Sequence, residues 1–366
     1  MRILQICSAR DIGGGERHVA DLVNALVGRG HEVFAVVNPN AAVIGELRSL
    51  PKKNIFELPM RGAADVVAAE KIAAIVREKK VDIIHAHVAR DYPLAAMASA
   101  SSGGTLFVLT RHVLFPLNKI HRLLLRKASR VIAVSNAVSE SLRGHKIFDP
   151  DKLVTIHNGV DVRRFDSTLA SSAHPATLEG LDAKYLVGTI GHLAPIKGQE
   201  TFVRAAAIVA RERDDVDFVI VGEDKSRPGE NRAELEKLIE SLGLKNRVHL
   251  AGWQDDTAAV LRHLDIFVSA ARSEPFGLVM LEAMAGRVPV VATASEGALE
   301  IIDDGVTGFL VPIGDPDAIA ASIKRLLDEP EVGRWLAETG LEKVKENFSL
   351  EGMIDATEMV YREALK

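Results

Sequence analysis

The chain has 366 residues, of which 47% are apolar and only 5% aromatic. That length exceeds one ordinary α/β domain and suits two, with cores filled mostly by Ala, Val, Leu and Ile. A formal net charge of −5, from 45 basic and 50 acidic residues, excludes the footprint of a general nucleic-acid binder, and a single cysteine excludes an internal disulfide.

In chain order, short β-branched runs alternate with amphipathic segments through the first half. Strands are predicted at Ile3–Ile6, Val33–Val37, Asp82–His85, Leu106–Thr110, Val131–Val134 and Val154–Ile156, and helices at Glu16–Val27, Val66–Lys79 and Asn118–Lys127. This alternation is that of βαβ units on a parallel sheet. Cys7 ends the first apolar run and reads as a buried small hydrophobe. The alternation stops near Phe165, and residues 166–184, rich in Ser, Ala and Thr, read as a linker.

A second series follows. Its strands are predicted at Tyr185–Ile190, Phe218–Val221, Val248–Leu250, Ile266–Ser269 and Pro289–Ala292. Its helices are predicted at Gln199–Arg211, Glu230–Leu242, Leu278–Ala285, Pro316–Leu327, Glu331–Phe348 and Leu350–Leu365. The expected architecture is α/β: an N-terminal Rossmann-like domain over 1–165, the linker, a second such domain over 185–348, and a C-terminal helix over 349–366 returning to the first domain. Ligands of such sheets bind beyond the carboxyl ends of the strands, so a cleft between the two halves is the expected binding place.

Three segments carry candidate chemistry. Gly13-Gly14-Gly15-Glu16 lies between the first strand and its helix, where glycines let the backbone turn tightly and helix N–H groups face an anion. It lacks the third glycine of the dinucleotide fingerprint, and a plain flexible turn stays open as its reading. Gly191-His192-Leu193-Ala194-Pro195-Ile196-Lys197-Gly198 follows the first strand of the second series. Lys197 there sits near a helix N-terminus, where the dipole disfavours a cation unless an anion binds nearby. In Ser273-Glu274-Pro275-Phe276-Gly277-Leu278-Val279-Met280-Leu281-Glu282, Glu274 falls in a loop and Glu282 about one turn into the next helix. Two carboxylates at different depths provide oriented acceptors for sugar hydroxyls.

Together these segments resemble the family 4 retaining glycosyltransferases of the GT-B fold, two Rossmann-like doubly wound domains facing a central cleft. Supporting motifs are Ser135-Asn136-Ala137, His157-Asn158-Gly159-Val160-Asp161, Val221-Gly222-Glu223 and Gly305-Val306-Thr307-Gly308-Phe309-Leu310-Val311-Pro312. The motifs stand in family order, and with their flanking elements the resemblance covers essentially the whole chain. It implies that the first domain binds the acceptor and the second a nucleotide sugar. Gly14 would place its backbone against the donor diphosphate, and Lys197 would pair with it. Glu274 would hold sugar hydroxyls with backbone groups of Phe276, Gly277 and Leu278. Val279 would lie against the nucleoside, Glu282 would hold the ribose hydroxyls, and His112 would stand beside the transferred sugar. His112, Lys197 and Glu274 are thus the implied catalytic residues.

His192 stands where the family usually carries Arg; it is expected at the diphosphate, with Arg272 and Arg111 as alternative cations. The implied reaction is transfer of a hexose-type sugar with retention, without metal or cofactor, the nucleotide sugar being a co-substrate. The implied acceptor is a saccharide or a lipid-linked sugar of cell-envelope polysaccharide or glycolipid synthesis. Alternatives are an epimerase or phosphorylase on the same fold, or a sugar-nucleotide binder without activity.

His85, His87 and His112 are placed close enough to suggest a metal, but no carboxylate stands at ligand spacing, and the expectation is no bound ion. Three Asp-x-Asp pairs, at 149/151, 215/217 and 315/317, read as backbone caps. The basic, apolar segment 118–127 fits either a solvated helix or a membrane-surface helix. The N-terminal apolar run is shorter than a signal core, and the uncharged run 92–110 is broken by Gly103 and Gly104. The expected location is therefore cytoplasmic, with peripheral contact at the inner membrane face through 118–127 as an option.

Overall fold

The computed structural model describes residues 1–117, 122–165, 178, 181, 183–226 and 229–366. Most of the expected linker and residues 118–121 of the basic segment therefore lie outside the described residues. The chain divides into two compact units, Met1–Asn158 with Leu350–Lys366, and Gly159–Ser349.

The elements of the first unit begin with β1 (Arg2–Cys7), α1 (Gly14–Gly28), β2 (Glu32–Val37), β3 (Ile55–Glu57), α2 (Val66–Lys79) and β4 (Ile83–Ala86). They continue with α3 (Tyr92–Ala100), β5 (Leu106–Arg111), α4 (Arg122–Leu125), β6 (Arg130–Ala133), α5 (Asn136–His145) and β7 (Leu153–Thr155). The second unit opens with β8 (Tyr185–Ile190), α6 (Gln199–Ala210), β9 (Val216–Val221), α7 (Glu230–Ser241), β10 (Val248–Gly252) and α8 (Thr257–Leu261). Next come β11 (Ile266–Ser269), α9 (Leu278–Ala285), β12 (Val290–Thr293), α10 (Ala298–Ile301), β13 (Phe309–Val311), α11 (Pro316–Asp328) and α12 (Pro330–Asn347). Helix α13 (Leu350–Ala364) returns to the first unit.

Seven described strands form one parallel sheet in the order β3-β2-β1-β4-β5-β6-β7, and six form another, β10-β9-β8-β11-β12-β13. Both are doubly wound: the strand order runs outward from β1 to one edge, then restarts at β4 toward the other, and likewise from β8 and β11. The central strands are buried on both faces, as helix-covered parallel sheets require, which is why they read as continuous apolar runs.

Local chemistry sets several boundaries. The Ala68 N–H donates to Asp65 at 3.0 Å and starts α2; the Val138 N–H donates to Ser135 at 3.1 Å and starts α5. Asp315 caps α11 through the Ala318 N–H, and Asp149 takes the Asp151 N–H. The Asp-x-Asp pair at 215/217 departs from the capping expectation. Asp217 lies within β9 and Asp215 just before it, and they meet Arg247 at 3.2 Å and Arg213 at 2.9 Å instead.

Helix α13 buries Met353, Ile354, Thr357, Val360 and Tyr361, one face at helical spacing. Four of these join Ile3, Val19 and Leu22 in the first unit's core. Each such apolar side chain contributes roughly 2 kcal/mol on burial. Arg29 meets Asp355 at 2.5 Å, and His31 meets Glu358 at 2.7 Å.

The unit boundary falls after Asn158, seven residues earlier than the sequence suggests. The cause is local: Val160 bridges Ser349 and donates to the Phe348 carbonyl at 2.9 Å, and Phe165 is buried. Among the described residues no helix is long and apolar enough to cross a membrane.

Candidate functional site

In the second unit the topological switch lies between β8 and β11. These strands are paired neighbours whose onward connections run toward opposite edges of the sheet. The loop 191–198 leaves β8 and the loop 270–277 leaves β11, so both flank the crevice such a switch creates. The Arg272 N–H donates to the Ile196 carbonyl at 2.8 Å and ties the loops together. Gly198 has φ +68°, and a Cβ there would stand 1.8 Å from the Ala270 carbonyl oxygen. Only glycine permits both that backbone and that approach.

The approach brings the side chains together. Lys197 Nζ lies 2.5 Å from Glu274 Oε2, in a pair whose side chains are 32% and 17% exposed, so both groups still reach solvent. Glu296, which no sequence signal singled out, holds the loop by accepting from the Ser273 hydroxyl and the Glu274 N–H, both at 3.1 Å. Gly277, at φ +104°, is the residue from which α9 starts. Glu282, the fifth residue of α9, is buried and accepts from the Thr257 hydroxyl at 3.3 Å. Leu278 and Val279 are half-buried. Phe276 points its ring into the core against Phe348, with 6.0 Å between ring centroids.

His192 stacks on Trp253 at 5.8 Å between centroids and 17° between planes, and Lys225 lies over the same indole at 5.7 Å. An aromatic face beside an ammonium suits a planar or anionic ligand. Of the alternative cations, Arg272 is half exposed and lies 3.6 Å from Glu200. Arg111 belongs to the first unit, is buried, and donates to the Phe115 carbonyl. A separate cavity of about 400 Å³ in the second unit is lined by residues including Pro195, Glu200, Arg204, Asn231 and Arg272, but not by Lys197, Glu274 or Glu282.

The first unit repeats the arrangement at its own switch, between β1 and β4. Gly13 caps α1, Gly14 and Gly15 open it, and a Cβ at Gly15 would sit 3.6 Å from the His112 ring. His112 follows β5 and His87 follows β4. Their rings lie 5.7 Å apart, and His18 of α1 comes within 4.8 Å of His112. The sequence missed His18, whose helix position carries no sign that it meets two strand ends.

His85, which the sequence grouped with His87 and His112, is engaged elsewhere. Its Nδ1 accepts from Tyr361 at 2.5 Å and its Nε2 donates to Thr110 at 2.7 Å. Burial holds the imidazoles of His18, His85, His87 and His112 below the usual histidine range, His18 at about 4, so all four are neutral at pH 7. Burial likewise pushes the Cys7 thiol up to about 12, which leaves it inert.

Comparison with known proteins bears on the family and the fold. Residues 12–164 match the family described as Glycosyltransferase Family 4, and residues 176–343 the family described as Glycosyl transferases group 1. The chain is 27% identical to the N-acetyl-alpha-D-glucosaminyl L-malate synthase of Bacillus anthracis, over 97% of this chain and 95% of that one. It is 28% identical to the lipopolysaccharide core biosynthesis glycosyltransferase LpsE of Rhizobium meliloti, over 94% of each. Among solved structures, a glycosyltransferase from Rickettsia africae superposes with a TM-score of 0.84 at 25% identity, covering 100% of this chain and 98% of that one. Anabaena Alr3699/HepE in complex with UDP and glucose superposes with a TM-score of 0.85 at 24% identity, covering 98% of each.

Proposed function

Because the chain belongs to the family 4 glycosyltransferases and has the GT-B fold, we propose that it transfers a hexose-type sugar from a nucleoside diphosphate donor, with retention at the anomeric carbon. The acceptor in this reading is a saccharide or lipid-linked sugar of envelope polysaccharide or glycolipid synthesis, in line with the relative named for lipopolysaccharide core biosynthesis. The observation that carries it is the convergence of Lys197 and Glu274, from the two loops at the switch of the second unit, with Glu282 in the helix that follows.

The chemistry follows from those groups. An acceptor hydroxyl oxygen bonds to the anomeric carbon from the face the diphosphate leaves, while the bond from that carbon to the diphosphate breaks; its electron pair leaves with the nucleoside diphosphate, whose departing oxygen takes up the hydroxyl proton. Negative charge grows on the departing group. A prearranged ammonium at Lys197 and the N-terminus of α9 are suited to meet that charge without reorganisation. Glu274, held by Lys197, is suited to accept from sugar hydroxyls and orient the ring rather than to attack it. Glu282 is suited to accept from the two ribose hydroxyls. No step needs a metal. For Gly14 and His112 of the first unit, the roles rest on the resemblance.

A thermal-shift screen of nucleotide sugars tests the donor class. A ligand present at 100 times its Kd stabilises the folded state by about 2.7 kcal/mol. At least one nucleoside diphosphate sugar is therefore expected to raise Tm by several degrees, with the corresponding free sugar inert. A screen in which none does so at millimolar concentration removes the donor assignment.

A further inference from the structure

We propose that His18, His87 and His112 form a binding site for a borderline divalent transition-metal cation of the Zn²⁺ or Co²⁺ type. Each offers one imidazole nitrogen, and these atoms lie within 4.8 Å of one another. His87 Nδ1 and His112 Nε2 are already 3.5 Å apart. Two nitrogens on a tetrahedral ion at about 2.0–2.1 Å stand about 3.4 Å from each other. That pair is in place, and closure of the site requires a shift of up to about 1.4 Å by the third ring.

His18 is the second, independent sign. It is 6% exposed, and both its ring nitrogens are buried without a hydrogen bond. Asn158 stands against the ring, and its own Oδ1 is likewise buried without a hydrogen-bond partner. A buried imidazole with neither nitrogen engaged is costly, and here it sits against two further imidazoles.

The third sign is how His87 is held. Its Nε2–H donates to Gln5 Oε1 at 2.7 Å, and Gln5 Nε2 donates to the Tyr361 hydroxyl at 3.2 Å. That hydroxyl donates to His85 Nδ1, whose ring passes its own proton to Thr110. The chain of bonds leaves the lone pair on His87 Nδ1, directed toward His112. Metal-binding histidines are typically oriented in this way, by a hydrogen bond from the opposite ring nitrogen. Burial keeps all three rings neutral, the form that ligates. An all-nitrogen donor set selects Zn²⁺, Co²⁺, Ni²⁺ or Cu²⁺ over Mg²⁺, Ca²⁺ and Mn²⁺, and three ligands leave a fourth position open. Of the three residues His112 alone is only partly buried, and entry is from its side.

The proposal does not rest on the donor assignment and routes no step of sugar transfer through the ion; an ion held by His112 would take that ring away from the place beside the sugar that the resemblance implies. Its test is titration of the untagged, metal-free full chain with Co²⁺, followed by visible d–d absorption. Wild type is expected to saturate at one equivalent with the intense bands of a four- or five-coordinate nitrogen site, and Zn²⁺ is expected to abolish them. His18→Asn breaks no hydrogen bond and is expected to weaken binding by more than about tenfold, as is His87→Gln. Tyr361→Phe, which touches no ligand, is expected to weaken it by about tenfold through the tautomer of His87. His249→Gln, outside the cluster, is expected to bind as wild type does. Absence of saturable absorption in wild type, or unchanged absorption in His18→Asn, overturns the proposal.

Discussion

Replacing Lys197 by alanine is expected to lower kcat for sugar transfer by about 10²- to 10³-fold, the loss seen when one preorganised donor to a developing oxyanion is removed. The ammonium meets the departing diphosphate most strongly when its charge is largest, so the loss belongs in kcat more than in KM. The ion pair with Glu274 sharpens the expectation. Without Lys197, a carboxylate that is 17% exposed has no cation within 2.5 Å and would face the donor diphosphate as a like charge. Glu274→Gln removes that repulsion and keeps the hydrogen-bonding shape. In combination with Lys197→Ala it is therefore expected to recover part of the lost donor affinity while kcat stays low. Glu282→Gln, deeper in α9 and remote from the bond that breaks, should raise KM with little change in kcat. Steady-state kinetics of nucleoside diphosphate release separates the three. A Lys197→Ala enzyme with wild-type kcat contradicts the role given to the ammonium.

Acidification from pH 7 to pH 5 is expected to lower Tm by at least a few degrees, driven by the buried imidazoles of the first unit. Each has a folded-state pKa below its unfolded value near 6.5, so the unfolded chain binds more protons across this window and stability falls as pH drops. For His18, at about 4 in the folded chain, the loss by pH 5 is roughly 2 kcal/mol. His85, His87 and His112 act in the same direction, lowered by burial first and then by one another, by His18 and, for His112, by Arg111. Asp91 opposes them. Burial raises its carboxyl to about 6, so the folded chain takes up a proton there first and regains about 1 kcal/mol by pH 5. Thermal melts in metal-free buffer check the sign. A Tm that stays flat from pH 7 to 5 contradicts the buried, neutral cluster, and His18→Leu should make the slope shallower.

Fold class was legible because parallel strands buried on both faces cannot hide their composition. Tyr185–Ile190, Ile266–Ser269, Val66–Lys79 and Leu278–Ala285 fall where the pattern puts them. β3 and β13 escaped because three residues carry too little periodicity to stand out from a loop, although β7, equally short, was found, and α8 and α10 escaped because four or five residues make barely one turn. Gly198 and Gly277 announced the two loops at the switch, but not that Gly198 presses against Ala270 and so brings Lys197 to Glu274. That contact joins residues 77 positions apart, and only the strand order supplies it. Glu296 and Thr257 were invisible for the same reason, being single polar residues with ordinary neighbours. The histidine cluster was half legible. His85-Ala86-His87 stood out, but the sequence gave no reason to separate them. The hydroxyl of Tyr361, on the last helix, claims His85, and a helix position turns His18 inward in its place.

A crystal structure of the chain with the nucleoside diphosphate sugar that raises Tm most tests the central claim directly. The account predicts the ribose hydroxyls within hydrogen-bond distance of the Glu282 carboxylate and the diphosphate against Lys197 and the start of α9. A nucleotide bound elsewhere, with Lys197 still paired only to Glu274 and Glu282 untouched, would contradict it.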